Sequence, residues 1–304
     1  MRGIRANPGI ALLIAAMTIW GGTYVISKAA LEDLGPFTIL ALRFTVGWLA
    51  LIPFAVRQGY RIRLSLTPVF LLFGLTGIVL HNGLETFGLQ FTSAGTAALI
   101  IAAAPALTAG LSILMLGERL TLLRLLGIGL SIAGVVLISF GDSGAGDGAW
   151  LGNLLVFGGV VAWGLYTVQG KRLSVGHSGL VSTTAGAGAA VLFLVPLAAA
   201  EIALGDVPHF TAGSIAAVAY LGLLASAAAF ALWNTALSYV EASVAGPFIN
   251  LVPVIGLALA VAVGEPAGIA QLIGGGIVGL GVWLSSMNAF ERRQPAARSG
   301  VSWA

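Results

Sequence analysis

The amino-acid sequence predicts an all-α polytopic membrane protein: ten transmembrane helices arranged as two inverted five-helix repeats, with both ends of the chain inside. Three observations lead there. The chain holds ten apolar runs of spanning length, its Lys and Arg fall on one side of them, and it repeats internally with an odd number of runs per unit. Of 304 residues, 58% are hydrophobic and 8% charged, at a mean hydropathy of +1.02, whereas a soluble domain carries about 25% charged residues. A water-soluble chain of this length has too little interior to hide that apolar surface. This excludes a soluble enzyme, a nucleic-acid binder and a disordered chain. The runs do not alternate apolar and polar residues as membrane barrel strands do. Cysteine is absent, which removes disulfides, thiolate catalysis and thiolate metal sites.

Taken in order, the expected spans are 9–30, 36–57, 67–90, 93–116, 122–140, 151–170, 178–204, 212–237, 241–263 and 268–287. Each is close to the ~20 residues that carry a helix across ~30 Å of hydrocarbon. Arg2 and Arg5 precede the first run as in a secretory leader. That run is span-length, ends in Lys28 and lacks a clear small-residue cleavage site, so an uncleaved first span is expected. The Gly- and Asp-rich loop from Gly141 to Ala149 divides the chain into a first repeat, 1–144, a second, 145–290, and a cytoplasmic tail, 291–304.

Orientation follows from Lys and Arg in short loops. With the N-terminus inside, the inner segments hold Arg2, Arg5, Arg57, Arg61, Arg63, Arg119, Arg124, Lys171, Arg172, Arg292, Arg293 and Arg298, and the outer segments only Lys28. Arg43 alone lies within a span. The outer loops collect Glu32, Asp33, Asp142, Asp147, Glu201, Asp206 and Glu265.

The halves match along their length. Trp20-Gly21, Lys28 and Pro53 recur 143 positions later as Trp163-Gly164, Lys171 and Pro196. With small insertions, Gly74 matches Gly222, Ala94 matches Ala242, Pro105 matches Pro253, Gly117-Glu118 matches Gly264-Glu265, Gly127 matches Gly274 and Gly134 matches Gly281. Five spans per half force the second half to begin on the opposite side of the membrane, and Lys28 (outside) and Lys171 (inside) agree. One five-helix shape used in two orientations has two conformations of similar energy, one opening inward and one outward, which is a transporter plan.

Trp20-Gly21 with Lys28, Pro36 and Arg43, followed by Pro105 and Gly117-Glu118-Arg119, resembles the EamA family of the drug/metabolite transporter superfamily, in two tandem units over nearly the whole chain. The second unit departs from the pattern, with Gly179 and Gly186 in place of Pro36 and Arg43, and Pro266 after Glu265. The resemblance implies ten helices and export of small metabolites. It looks most like the bacterial exporters of aromatic and other hydrophobic amino acids.

The candidate cavity wall is Trp20, Tyr24, His81, Pro105, Trp163, Tyr166, Asn250 and Pro253. Pro105, Pro247 and Pro253 interrupt corresponding spans; each frees a carbonyl at membrane depth, tolerated only inside protein or along a wet cavity. Asn250 adds a donor and an acceptor between two of them. Trp20 and Trp163 stand near the midplane, away from the interfacial belt where Trp150, Trp233 and Trp283 fit. They either pack as core or stack against a substrate. Tyr24 and Tyr166 share their faces at i+4 and i+3. His81-Asn82-Gly83-Leu84-Glu85 is the one rich polar cluster in a span. Glu85 lies at the depth of Arg43 on the adjacent span, and their repeat partners, Trp233 and Gly186, are both uncharged. A buried Arg43–Glu85 pair is therefore the first reading and proton coupling through Glu85 the second. Lys28 is read as a snorkelling anchor or as an attractor at the outer mouth. Glu118 and Glu265 are read as structural hairpin residues.

Gly144-Ala145-Gly146-Asp147 spells a membrane-protease motif, but in a loop and without its Tyr-Asp partner. Gly275 and Gly279 form a small-residue packing face. The three histidines, His81, His177 and His209, have no zinc spacing, and no Walker-type loop is present. The expectation is a monomeric secondary transporter in the bacterial inner membrane, not an enzyme, with no cofactor and no metal. Its partners are a small-molecule substrate and the lipid bilayer, not nucleic acid. It would export small neutral, mainly hydrophobic or aromatic amino acids or related metabolites. The alternatives are a transporter of phosphorylated or nucleotide-linked sugars, which would want several cations in the path, and an integral membrane enzyme.

Overall fold

The structure, a computed structural model, describes residues 8–116, 122–140, 148–173, 177–236, 246–265 and 267–291. Arg2, Arg5, Gly117, Glu118, Arg119, the 141–147 loop with its Gly-Ala-Gly-Asp motif, Ala242, Pro266 and the tail beyond Glu291 lie outside them, as do the side chains of Arg124, Lys171, Arg172 and Pro247. All regular structure among the described residues is helical.

Helix α1 (Pro8–Ala30) and α2 (Pro36–Val56) each open on proline, which needs no partner for a missing N–H at a first helical position. Helix α3 (Pro68–Gly88) contains a π-helical stretch, Leu75–Leu80. The fourth apolar run breaks at Ala102 and Ala103 into α4 (Ala94–Ile101) and α5 (Ala104–Leu116), since Pro105 lacks an N–H and crowds the preceding turn. Then follow α6 (Leu122–Phe140), α7 (Ala149–Leu173) and α8 (Gly179–Ala203). Helix α9 starts as Ala212–Ala219, passes through a second π-helical stretch, Tyr220–Ala228, and ends as Ala229–Ala236. A 3-10 turn, Gly246–Asn250, leads into α10 (Leu251–Ala262), and α11 is Ile269–Glu291. The first π-helical stretch follows Gly74, and the second contains the repeat-related Gly222.

Side-chain caps fix several starts. Ser93 accepts from Thr96 N–H at 3.1 Å, Ser178 from Val181 N–H at 3.3 Å, and Thr211 with Ser214 forms a capping box. Gly264, at φ +98°, turns the chain after α10, where Glu265 N–H donates back to Ala260 O at 2.9 Å.

Six described helices are long and apolar enough to cross a membrane, and four shorter apolar segments accompany them: Ala94–Thr108, Leu125–Ile138, Phe248–Ala262 and Ile269–Gly281. Large apolar side chains such as Leu114, Leu122, Val254 and Ile269 point outward, as lipid-facing residues do and as a soluble surface of this extent would not.

The most extensive packing joins α6 to α11, α2 to α8 and α3 to α7; α1 lies against α9 and α10, α4 against α10, and α5 against α7. Glycine makes these approaches close. A Cβ on Gly134 would stand 2.7 Å from Gly274 O, and one on Gly281 would stand 2.6 Å from Gly127 O. The order of these contacts makes α6 and α11 antiparallel. Of the expected Gly275/Gly279 face, Gly275 packs inward against Leu99, whereas Gly279 has nothing within 4 Å, and the closest backbone approaches of α11 are made by Gly274 and Gly281. Trp233, assigned above to the interfacial belt, instead packs 6.0 Å from the ring of Trp20.

The glycine contacts predict opposite outcomes for two nearby substitutions. Gly281→Ala should destabilise the detergent-solubilised protein by about 1–3 kcal/mol through overpacking. Gly279→Ala, with room for its methyl and about 1 kcal/mol of helix propensity to gain, should be neutral or stabilising. Thermal unfolding followed by circular dichroism separates them; equal midpoints would refute the close-contact account.

Candidate functional site

A cavity of roughly 110 Å³ lies where α1, α2, α3, α7, α9 and α10 converge with the break between α4 and α5. Helix α1 supplies Trp20, Thr23, Tyr24 and Ser27, one stripe at helical spacing. From α3 come His81, Asn82, Glu85, Thr86 and Leu89, which likewise share a face. Arg43 enters from α2, Trp163 from α7 and Phe230 from α9. Ile101 and Ala104 flank the break between α4 and α5, and Ile249 and Val252 occupy the repeat-related junction before and within α10.

The aromatic wall is tightly organised. Trp20 packs edge-on to Phe230 at 5.1 Å and donates from Nε1 to Ala225 O at 3.0 Å. That carbonyl belongs to the second π-helical stretch, where i→i+5 bonding changes which groups face outward. Across the cavity, Trp163 lies 5.1 Å from the His81 ring and 5.3 Å from Tyr166. Tyr166 continues into a stack with Phe73 at 4.1 Å; it supports Trp163 from behind and does not line the cavity.

The polar groups are mostly committed on one edge. His81 is buried, and its Nδ1 is 2.9 Å from Gly159 O. A carbonyl only accepts, so Nδ1 carries a proton and Nε2 faces Glu85 Oε2 at 3.8 Å. Arg43 is buried, donates from Nε to Ser226 Oγ at 3.3 Å, and sets its guanidinium 4.9 Å above the Phe44 ring. The direct Arg43–Glu85 pair is not made: among the described residues, ion-pair contacts within 4 Å are Lys28–Glu265 and His81–Glu85. Both charges nevertheless line one cavity.

Other expected residues sit elsewhere. Pro105 and Pro253 do not themselves line the cavity, but each lies four residues after one that does, Ile101 and Ile249. A proline has no N–H for the carbonyl four residues earlier, so the interruption acts on the wall one turn away. Asn250 stands at the start of α10 beside Ile249 and outside the lining. Lys28 donates to Thr92 O and lies 3.9 Å from Glu265 Oε1. Glu265 in turn accepts from Ala94 N–H at 3.2 Å and Gly95 N–H at 3.0 Å, a carboxylate on the positive end of α4. Lys28 is thus tied into a junction of three chain ends. Thr23, Ser27 and Phe230 were missed by sequence reasoning; the i+3 and i+7 spacing from Trp20 carried the signal for the first two, while Phe230 stands out only in the fold.

Helices of spanning length around an aromatic and charged cavity define a polytopic membrane protein with room for a small molecule. The chain belongs to the EamA-like transporter family, whose sequence model matches residues 7–140 and 150–287, one copy per half. It is 30% identical to the uncharacterized transporter YetK of Bacillus subtilis, over 94% of this chain and 88% of that protein. It is 29% identical to a probable terminal-alkyne amino-acid exporter of Streptantibioticus cattleyicolor, over 98% of this chain and 99% of that protein. The inner membrane transporter YedA of Escherichia coli K12, also uncharacterized, is 26% identical over 87% and 85% of the two chains. A solved crystal structure with 21% identity shares the fold at a TM-score of 0.64, covering 94% of this chain and 99% of the other. The protein is therefore an integral membrane member of a transporter family.

Ser226→Ala would strand Arg43 Nε without its acceptor. The expected cost is about 1.5–3 kcal/mol, the range for a hydrogen bond to a charged group. Thermal unfolding should register it, and an unchanged midpoint would mean that water in the cavity replaces the hydroxyl.

Proposed function

We propose that the protein is a secondary transporter that exports small neutral, mainly hydrophobic or aromatic amino acids or related metabolites across the bacterial inner membrane by alternating access. Its scaffold is ten helices in two inverted repeats, 1–144 and 145–290, with both ends of the chain on the cytoplasmic side. One observation carries the substrate class: Trp20, Trp163, Tyr24 and Phe230 stand in the cavity wall, with a single Lys or Arg, Arg43, and a single carboxylate, Glu85, among the lining residues. A zwitterion with an apolar side chain suits that wall. A dianionic sugar phosphate would call for several cations. The amino-acid exporter among the relatives points the same way.

Reciprocal contacts support the inversion. Gly134 meets Gly274, the counterpart of Gly127, while Gly127 meets Gly281, the counterpart of Gly134. Such exchange is the mark of a two-fold axis, and between antiparallel helices that axis lies across them, in the membrane plane. Glu201 and Gln58, 143 positions apart, act alike: Glu201 accepts from Phe37 and Thr38 N–H at the start of α2, and Gln58 accepts from Ser178 Oγ at the start of α8. Every such junction joins segments that alternation puts on one side: Lys28 with Glu265, Asp33 with Thr211, and Gln58 with Ser178.

Because the chain has no native cysteine, topology is directly testable. A membrane-impermeant maleimide should label Glu32→Cys in intact spheroplasts and Gln58→Cys only after permeabilisation; labelling of both in intact cells would reject the orientation. For transport, proteoliposomes loaded with labelled phenylalanine should release it without ATP. Trp163→Ala should slow release at subsaturating substrate by roughly tenfold, the effect of losing an aromatic contact worth about 1.4 kcal/mol. Release no faster than from protein-free vesicles, with a labelled sugar phosphate released instead, would favour the alternative substrate.

A further inference from the structure

We infer that Arg43 and Glu85 are the two poles of a zwitterion receptor: the guanidinium takes the carboxylate of an α-amino acid and the Glu85 carboxylate takes its ammonium. This rests on the amino-acid reading above and assigns the residues that enforce it. Two opposite charges on neighbouring helices, buried in one membrane cavity, would lower their cost most simply by touching. They do not touch: the Tyr24 hydroxyl is a side-chain hydrogen-bond partner of Glu85, which leaves the remaining lone pairs of that carboxylate and the outer edge of the guanidinium for the cavity they both line. Arg43 is 7% exposed and is held only through Nε, by Ser226. Its two terminal nitrogens, the forked edge that grips a carboxylate with two parallel bonds, have no hydrogen-bond partner among the described residues. Glu85 lies beyond hydrogen-bond distance of His81 Nε2, at 3.8 Å. Nδ1 of that histidine is already committed to Gly159 O, so the ring is anchored rather than free to close the gap.

The chemistry of the gap selects the ligand. An α-amino acid carries opposite charges on atoms one carbon apart and can enter between a guanidinium and a carboxylate that stand more than 4 Å apart, with a charge-assisted hydrogen bond of about 2.8 Å at each end. A ligand with only one of the two charges leaves the other pole buried and unmatched. The aromatic side of the wall, Trp20, Trp163 and Phe230, receives the side chain by stacking and apolar contact. The receptor therefore reads the head group strictly and the side chain loosely. Its two charged poles sit in the first repeat alone, since Gly186 and Trp233 replace them in the second.

Purified protein in detergent, followed by intrinsic tryptophan fluorescence, tests this with phenylalanine, phenethylamine and 3-phenylpropionate, which share a ring and differ only in head-group charge. The wild type should bind phenylalanine at least about tenfold more tightly than either singly charged analogue, the equivalent of one charge-assisted bond. Glu85→Gln should weaken phenylalanine and phenethylamine while 3-phenylpropionate holds or improves. Arg43→Gln should do the reverse, sparing phenethylamine. Equal loss for all three ligands in both variants, or a wild type indifferent to head group, would overturn the assignment while leaving phenylalanine transport standing. A wild type that binds none of the three would remove the amino-acid reading itself. If a glutamine variant fails to fold, Arg43→Lys and Glu85→Asp serve. Arg43→Lys, which keeps the charge and loses the fork, should weaken both carboxylate ligands and spare phenethylamine, and uniform weakening would count against the receptor.

Discussion

Close contact between backbones, made possible by glycine, is the constraint on which this architecture depends. In lipid there is no hydrophobic gain from bringing two apolar helices together, so their association rests on dispersion and on fit. Dispersion falls off steeply with distance, and only a residue without a Cβ lets carbonyls and helix axes approach as α6 and α11 do. Gly134, Gly274 and Gly281 each stand where a methyl would collide with opposing backbone. The same device recurs away from that pair. Gly74 lies against Gly186 O, and its repeat partner Gly222 lies against Arg43 O. The framework thus brings Arg43, a charge that hydrocarbon would reject, against the one helix where Ser226 can receive it.

Much of this could be read directly from the residues. Span-length apolar runs, the skew of Lys and Arg, and glycines recurring at a near-constant offset all survive as one-dimensional patterns, because each reports a local property of a helix. The π-helical stretches at Leu75–Leu80 and Tyr220–Ala228 left no such mark. A shift from i→i+4 to i→i+5 bonding shows in what the stretch offers its neighbours, as when Trp20 Nε1 and Arg43 Nε donate to Ala225 O and Ser226 Oγ. Depth was legible and azimuth was not. Arg43 and Glu85 were matched by depth, yet rotation about the α2 axis turns Arg43 toward α9. Trp233 sits in the chain where an interfacial tryptophan would, and packing against Trp20 draws it inward. Of the candidate wall, Trp20, Tyr24, His81 and Trp163 line the cavity with Arg43 and Glu85, while Pro105, Asn250 and Pro253 lie beside it and Tyr166 lies behind it.

A duplicated scaffold with an asymmetric lining has a physical logic. In the proposed arrangement, where a two-fold axis relates the halves, reciprocal pairs such as Gly134 with Gly274 and Gly127 with Gly281 stay matched when the halves exchange roles. The cavity near such an axis is under no obligation to be symmetric, since a small asymmetric ligand meets both halves at once. Duplicate charges would place two arginines and two glutamates in one small hydrocarbon-bounded space, where like charges repel and each bears its own desolvation cost. The second half instead supplies Phe230, Ile249 and Val252 to the wall and the acceptors Ala225 and Ser226 behind it. One repeat carries the charges and the other carries the surface that positions them. The departures of the second unit from the first, Gly186 for Arg43 and Trp233 for Glu85, are therefore what lets a duplicated fold enclose a single site.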